Sequence, residues 1–202
     1  MPTNRTDISL VASSSQTRGV FRARDAQRAG ISRVALGRLT QTGHLEHVAR
    51  GLYARPHAKI TEHHSVVEAA VRVPHGIVCL LSALQFHNLT TQNPHEIWLA
   101  IGVKARKPKT EWPPLRIVRF SGNALTFGVE KHLIEHVEVH ITSREKTVAD
   151  CFKYRNKIGL DVAIEALREY LRTKRRSVDT LMEAAEASRV KNVIRPYLEA
   201  IL

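Results

Sequence analysis

The stretch FRARDAQRAGISRVALGRLTQTGHLEHVARGLYAR, residues 21–55, decides how this chain is read. Two short apolar-periodic segments meet at Ala29-Gly30-Ile31, and Gly43 ends the second of them. In that second segment Ile31, Ala35, Leu36 and Leu39 fall on one helical face, and Ser32 stands where an N-cap belongs. Two short extended stretches follow, His44–Val48 and Leu52–Arg55, joined by Ala49-Arg50-Gly51. Helix, turn, helix and tight hairpin is the order of a winged helix-turn-helix. The stretch carries seven arginines, no lysine and two acids. A small rigid scaffold that offers arginine from a helix and a hairpin is suited to duplex DNA.

The outward positions of the second helix are Arg33, Gly37, Arg38 and Gln41. Arginine forks onto guanine O6 and N7, and glutamine pairs with adenine N6 and N7. Ser32 joins this candidate set. Arg22, Arg24 and Arg28 are placed to hold phosphates, which fix register without reading sequence. Arg50 at the hairpin tip points to the adjacent minor groove, and Arg55 to the DNA backbone. Gly37 is unusual, because glycine inside a helix costs about 1 kcal/mol relative to alanine.

Working outward, the 202 residues suit two modest domains, with a junction at Pro56-His57-Ala58. The expected division is residues 1–56 for DNA binding and 57–202 for a mixed α/β domain ending in a helical tail, an α+β chain overall. Upstream, Asp7–Ser14 reads as a short helix. Downstream, Thr61 reads as the cap of a helix over His63–Val73. Ile77–Leu80 reads as a buried strand, with Ser82 capping the helix after it. Glu96–Val103, Leu115–Ser121 and His136–Ile141 read as strands. From Ser143 helices dominate: a capped segment through Phe152, an amphipathic Leu160–Leu171 with Leu160, Ala163, Ile164, Leu167 and Leu171 on one stripe, then Arg176–Ala187 and Val190–Leu202.

Lysine and arginine number 31 against 19 acids, a net charge of +12, which favours a polyanionic partner. A second basic group, Lys104, Arg106, Lys107 and Lys109 with Arg116 and Arg119, lies in a proline-broken segment beside Trp112. Three readings stand for it: a wider DNA footprint, a face for an acidic protein, or a solvated surface. No apolar run spans a bilayer and no apolar leader opens the chain, so the expected location is the cytoplasm, with no membrane partner. Cys79 and Cys151 sit in apolar settings and are expected as buried, reduced thiols.

Enzyme signatures are weak. His132, His136 and His140 recur every four residues, and His132–His136 spells the inverted zinc pattern HxxEH. That pattern needs a helix, whereas Val137, Val139 and Ile141 alternate as in a strand. Glu145 with Asp150 or Asp161 reads as salt-bridged surface near Lys146, Lys153 and Arg155, and His63-His64 as helix surface. No phosphate loop or nucleophile elbow is found. The expectation is no enzyme, no metal and no cofactor.

Two separated stretches carry a family likeness. One is Ala29-Gly30-Ile31-Ser32-Arg33 with Arg38-Leu39, Gly43-His44-Leu45 and Arg50-Gly51-Leu52-Tyr53. The other is Ser143–Phe152 with the helices that follow. Together they resemble the AbiEi family, antitoxins and transcriptional regulators of AbiE-type (type IV) bacterial toxin–antitoxin systems. The likeness covers nearly the whole chain and is weak between Lys104 and Leu133. It implies an N-terminal winged helix-turn-helix that binds inverted repeats in the operator and represses its own operon. It also implies a C-terminal antitoxin domain that counteracts a nucleotidyltransferase-like toxin, without need of a stable complex. Direct capture of the toxin by the helical half, or a stand-alone DNA-binding regulator, are the alternatives. Three positions depart from the family pattern: Arg22 in place of a capping Ser or Thr, Gly37 in place of a larger residue, and His47 where the wing often has arginine.

Overall fold

The computed structural model describes residues 19–49, 51–56, 61–110 and 112–202. It is a mixed α+β structure. The expected helix at Asp7–Ser14 and the residues His57 and Ala58 of the expected junction lie outside the described residues. Contacts group the chain into two compact units: Met1–Pro74 with His132–Val139, and His75–Lys131 with His140–Leu202.

The first unit opens with β1 (Phe21–Arg22), α1 (Ala23–Arg28) and α2 (Arg33–Gln41), then β2 (Glu46–Ala49) and β3 (Leu52–Ala54). The strands form an antiparallel sheet in the order β1-β3-β2. Gly30, at φ 89°, makes the turn between the helices in a conformation that favours glycine. Ser32 caps α2, its hydroxyl accepting from the Ala35 amide at 3.1 Å, as the sequence indicates. Phe21, Ala26, Ile31, Ala35, Leu36, Leu39 and Leu45 form one buried apolar cluster. Burying a Leu or Ile side chain contributes about 1.5–3 kcal/mol, so α2 is held from below.

α3 (His64–Arg72) completes this unit. Its N-cap is His63, without a side-chain cap, so Thr61 does not play the expected part. The Thr61 amide and hydroxyl instead donate to Glu135 Oε1 at 2.8 and 2.9 Å, and His64 Nδ1 lies 2.8 Å from Glu135 Oε2. His64 is therefore tied to a carboxylate rather than standing as open helix surface. Glu135 and His136 form the turn between β7 (Val129–Ile134) and β8 (Val137–Thr142). Both have left-handed backbones, φ 48° and 65°, which cost non-glycine residues free energy. Gly19 lies against this turn, where an added Cβ would overlap the Glu135 carbonyl oxygen. Burial alone would favour the neutral Glu135 carboxyl, but the Thr61 amide, His64 and the Thr61 hydroxyl outweigh it and hold the group below its ordinary value.

A five-stranded sheet runs in the order β6-β5-β4-β8-β7, with β4 (Ile77–Val78), β5 (Ile97–Gly102) and β6 (Leu115–Phe120). β4 pairs antiparallel with β5 and parallel with β8, and β5 pairs parallel with β6. The strand expected over Ile77–Leu80 stops at Val78, because α4 (Leu80–Phe86) begins at Leu80. Ser82 thus lies inside α4 and is not its cap. Its hydroxyl accepts from the Trp98 amide at 3.0 Å and so fastens the helix to β5. After α5 (Asn123–Thr126) and the β7–β8 pair come α6 (Arg144–Lys153), α7 (Arg155–Ile158), α8 (Leu160–Arg172), α9 (Val178–Ala187) and α10 (Lys191–Ile201). Ser143 caps α6 through the Lys146 amide. Val148, Cys151 and Phe152 are buried as the sequence indicates, and both cysteines are free thiols. Leu160, by contrast, is exposed, and α8 buries Val162, Ala166 and Tyr170 beside Ala163, Leu167 and Leu171.

The largest departure is on α6. The Lys146–Asp150 ion pair, read from the sequence as surface, has both side chains fully buried. The Lys146 ammonium contacts both carboxylate oxygens and lies 4.7 Å from the centre of the Phe120 ring. The Ser188 hydroxyl donates to Asp150 Oδ1 at 2.8 Å. Burial pushes the Asp150 carboxyl up, and Lys146 opposes that push without cancelling it. No carboxylate pair forms with Glu145, which accepts from the Tyr170 hydroxyl at 3.0 Å. Among the described residues, no helix is long and apolar enough to cross a membrane.

Removing one member of a buried ion pair costs about 3–5 kcal/mol, while replacing both by apolar groups of similar size is often neutral. Lys146→Met should therefore show a large loss in urea unfolding, and Lys146→Met with Asp150→Leu should recover most of it. A single variant as stable as the parent would show the pair to be dispensable. Glu135 yields a pH dependence. Its carboxyl is depressed in the folded protein, so its contribution is full above the unfolded-state value and disappears as pH falls through the folded one. Melting temperatures taken from about pH 7 to about pH 3 should fall less steeply for Glu135→Gln than for the parent.

Candidate nucleic-acid interface

The described residues singled out for DNA sit on β1, α1 and α2 or directly beside α2 and β3, all in the first unit. Arg22 ends β1 and occupies the N-cap of α1, without a side-chain cap. It is half-buried, and burial followed by the nearby Arg24 charge lowers its proton affinity. Arg24 and Arg28 are exposed on α1, each within 4 Å of Asp25, at 3.7 and 3.8 Å. Surface pairs of this kind contribute little, so both guanidiniums keep most of their freedom to meet phosphate. Ser32 spends its hydroxyl on the cap of α2. Arg33 and Gln41 are exposed on α2, Arg38 is half-buried there, and Arg55 is half-buried just past β3. Arg50 lies outside the described residues.

α2 thus has two sides of opposite character. Ala35, Leu36 and Leu39 are buried, while Arg33, Gly37 and Gln41 face solvent. An alanine Cβ at Gly37 would meet nothing within 4 Å, so the fold itself does not ask for glycine there. Sequence reasoning passed over Val34 on the same side, which is 73% exposed. On the hairpin, the His47 ring meets Tyr53 edge-on at 5.2 Å, and Tyr53 stacks on Phe21 at 6.1 Å. His47 therefore takes part in an aromatic contact within the sheet.

The second basic group belongs to the other unit. Lys104, Arg106, Lys107 and Lys109 are exposed. Arg116 pairs with Glu96 at 3.7 Å and lies 5.6 Å from the centre of the Trp98 ring. Arg119 Nη1 donates to the Gly102 and Val103 carbonyls at 2.8 and 3.2 Å, and also to the Ala105 carbonyl. Arg119 thereby anchors the loop that carries the lysines. The HxxEH pattern is not helical: His132 is on β7, with Glu135 and His136 in the turn. Among the described residues, no group of three or more His, Cys, Asp or Glu side chains is placed to hold a metal ion.

A family model described as "Transcriptional regulator, AbiEi antitoxin" matches residues 9–56. No curated protein matches the chain in sequence. Among solved structures, the crystal structure of the RV2827C protein from Mycobacterium tuberculosis superposes with a TM-score of 0.58 at 14% identity, over 98% of this chain and 82% of that one. At that identity the likeness speaks for the fold alone. The segment that carries α1, α2 and the hairpin lies within the residues that bear this match to AbiEi antitoxin transcriptional regulators.

Proposed function

We propose that this protein is the antitoxin of a bacterial toxin–antitoxin pair and the repressor of its own operon. Residues 1–56 act as a winged helix-turn-helix, with α2 as the reading helix in the major groove and the β2–β3 hairpin as the wing. Arg33, Arg38 and Gln41 read bases. Arg22, Arg24, Arg28 and Arg55 hold phosphates, and Arg50 enters the neighbouring minor groove. The target is an inverted repeat in the operator, one half-site per copy. Residues 57–202 counteract a nucleotidyltransferase-like toxin, a part of the reading that rests on the family likeness. The exposed side chains of Lys104, Arg106, Lys107 and Lys109 give that domain a further basic surface.

One observation carries the DNA-binding part. α2 is anchored by three fully buried apolar residues, while its opposite side offers Arg33 and the Gln41 amide to solvent, with Arg38 half-buried beside them. The net charge of +12 adds a long-range pull toward a polyanion.

The test is a fluorescence-anisotropy titration on the duplex upstream of the protein's own reading frame, at several salt concentrations. Arg33→Ala and Arg38→Ala should each weaken binding by about 1–3 kcal/mol and relax sequence preference at one position. Arg24→Ala and Arg28→Ala should weaken all duplexes alike and reduce the salt slope by roughly one each. Unchanged affinity in the first two variants would remove α2 from the reading role. Gly37→Ala should raise folding stability by about 1 kcal/mol, read by thermal melting, while lowering affinity for the duplex.

A further inference from the structure

We propose that Val34 reads the C5-methyl group of a thymine in the major groove. The proposal deepens the DNA-binding reading of α2 and rests on it.

Single exposed apolar residues are ordinary on protein surfaces. What distinguishes Val34 is its position. It is the second residue of α2, directly after the Ser32 cap and Arg33, and it is 73% exposed. With Gly37, Arg38 and Gln41 it occupies spacings i, i+3, i+4 and i+7, a single stripe along the helix. That stripe lies opposite Ala35, Leu36 and Leu39, which are buried. The protein's own core therefore makes no use of Val34.

Two residues on this stripe run against helix stability. A β-branched side chain loses rotamer freedom in a helix, and an exposed valine returns nothing through burial. Gly37 gives up backbone order, although an alanine there would meet open space. Local preferences broken together, with no gain inside the fold, mark a surface shaped for something outside it.

A major groove accounts for both. The residues at the start of a reading helix are those that reach base edges. A missing side chain at position 37 lets the helix backbone settle closer to the DNA, which carries Val34 toward the groove floor. The apolar feature that base pairs present there is the thymine methyl. Arg33 and Arg38 beside it supply the polar contacts, and Val34 supplies an apolar one.

The experiment selects binding sites from a random duplex library with the full-length protein and with Val34→Ser. The wild-type protein should enrich a site containing a fixed T·A pair. Replacing that thymine by deoxyuracil removes only the methyl group, and should weaken wild-type binding roughly three- to fivefold at constant salt. Val34→Ser should bind the thymine and uracil duplexes equally well. An enriched site without a fixed T·A pair overturns the proposal, as does a Val34→Ser protein that loses as much on the thymine-to-uracil change as the wild type. A wild-type protein that enriches no duplex overturns the DNA-binding reading beneath it, a result distinct from the other two.

Discussion

An ammonium and a carboxylate shut away from water set the terms for the larger unit. Lys146 and Asp150 lie one turn apart on α6, so a single helix can bring them together. Desolvating both charges is expensive, and the arrangement is tolerable only because several elements converge on it. α6 supplies both partners, the end of α9 supplies the Ser188 hydroxyl, and β6 supplies the face of Phe120. Gly128 leaves room beside the Lys146 side chain, where any larger residue would collide. The same burial, with the Asp150 charge nearby, pushes both cysteine thiols well above their ordinary range. They are inert packing groups and not reactive ones. Tyr154, pushed up to about 12 by burial and then by Asp150, stays a hydroxyl and donates to the Arg119 carbonyl at 2.9 Å.

The smaller unit solves a different problem. Its helices are short, and α1 has six residues; isolated helices of that size do not persist in water. Their stability comes from the apolar cluster from Phe21 to Leu45, which fixes α2 on one side only. The other side is thereby released from packing duty and can carry arginine, glutamine, glycine and an exposed valine. The chemistry proposed for α2 depends on this division of labour.

Much of this was legible in the sequence where the signal was local. The turn at Gly30, the Ser32 cap and the buried set Ile31, Ala35, Leu36 and Leu39 follow from helical spacing and capping chemistry, and all three are in place. The strands at 97–102, 115–120 and 137–142 were visible as β-rich runs. What escaped depended on residues far apart in the chain. The sequence around Thr61 and Ser82 suggested caps, but Glu135 and Trp98 claim those hydroxyls across long separations. Lys146 and Asp150 look like a surface pair at helical spacing, since nothing local announces that Phe120 and Ser188 cover them. β7 was overlooked because Glu130, Lys131 and His132 hide its pattern. Within the candidate site, attention to charge singled out the arginines and passed over Val34, whose exposure only the placement of α2 reveals.

The turn at Glu135 and His136 bears on how portable the N-terminal unit is. Among the described residues, the buried cluster beneath α2 runs from Phe21 to Leu45, with Tyr53 packed against it, so α2 draws this support from one contiguous stretch. The surroundings of α3 do not. Thr61 and His64 share a carboxylate that arrives from more than seventy residues further along. A graft ending at Pro74 would orphan those donors and leave Gly19 without the carbonyl it packs against. Transplanting this module into another protein would call for an eight-residue hairpin tip, His132–Val139, as a separate insert, or for a redesigned α3 that no longer needs it.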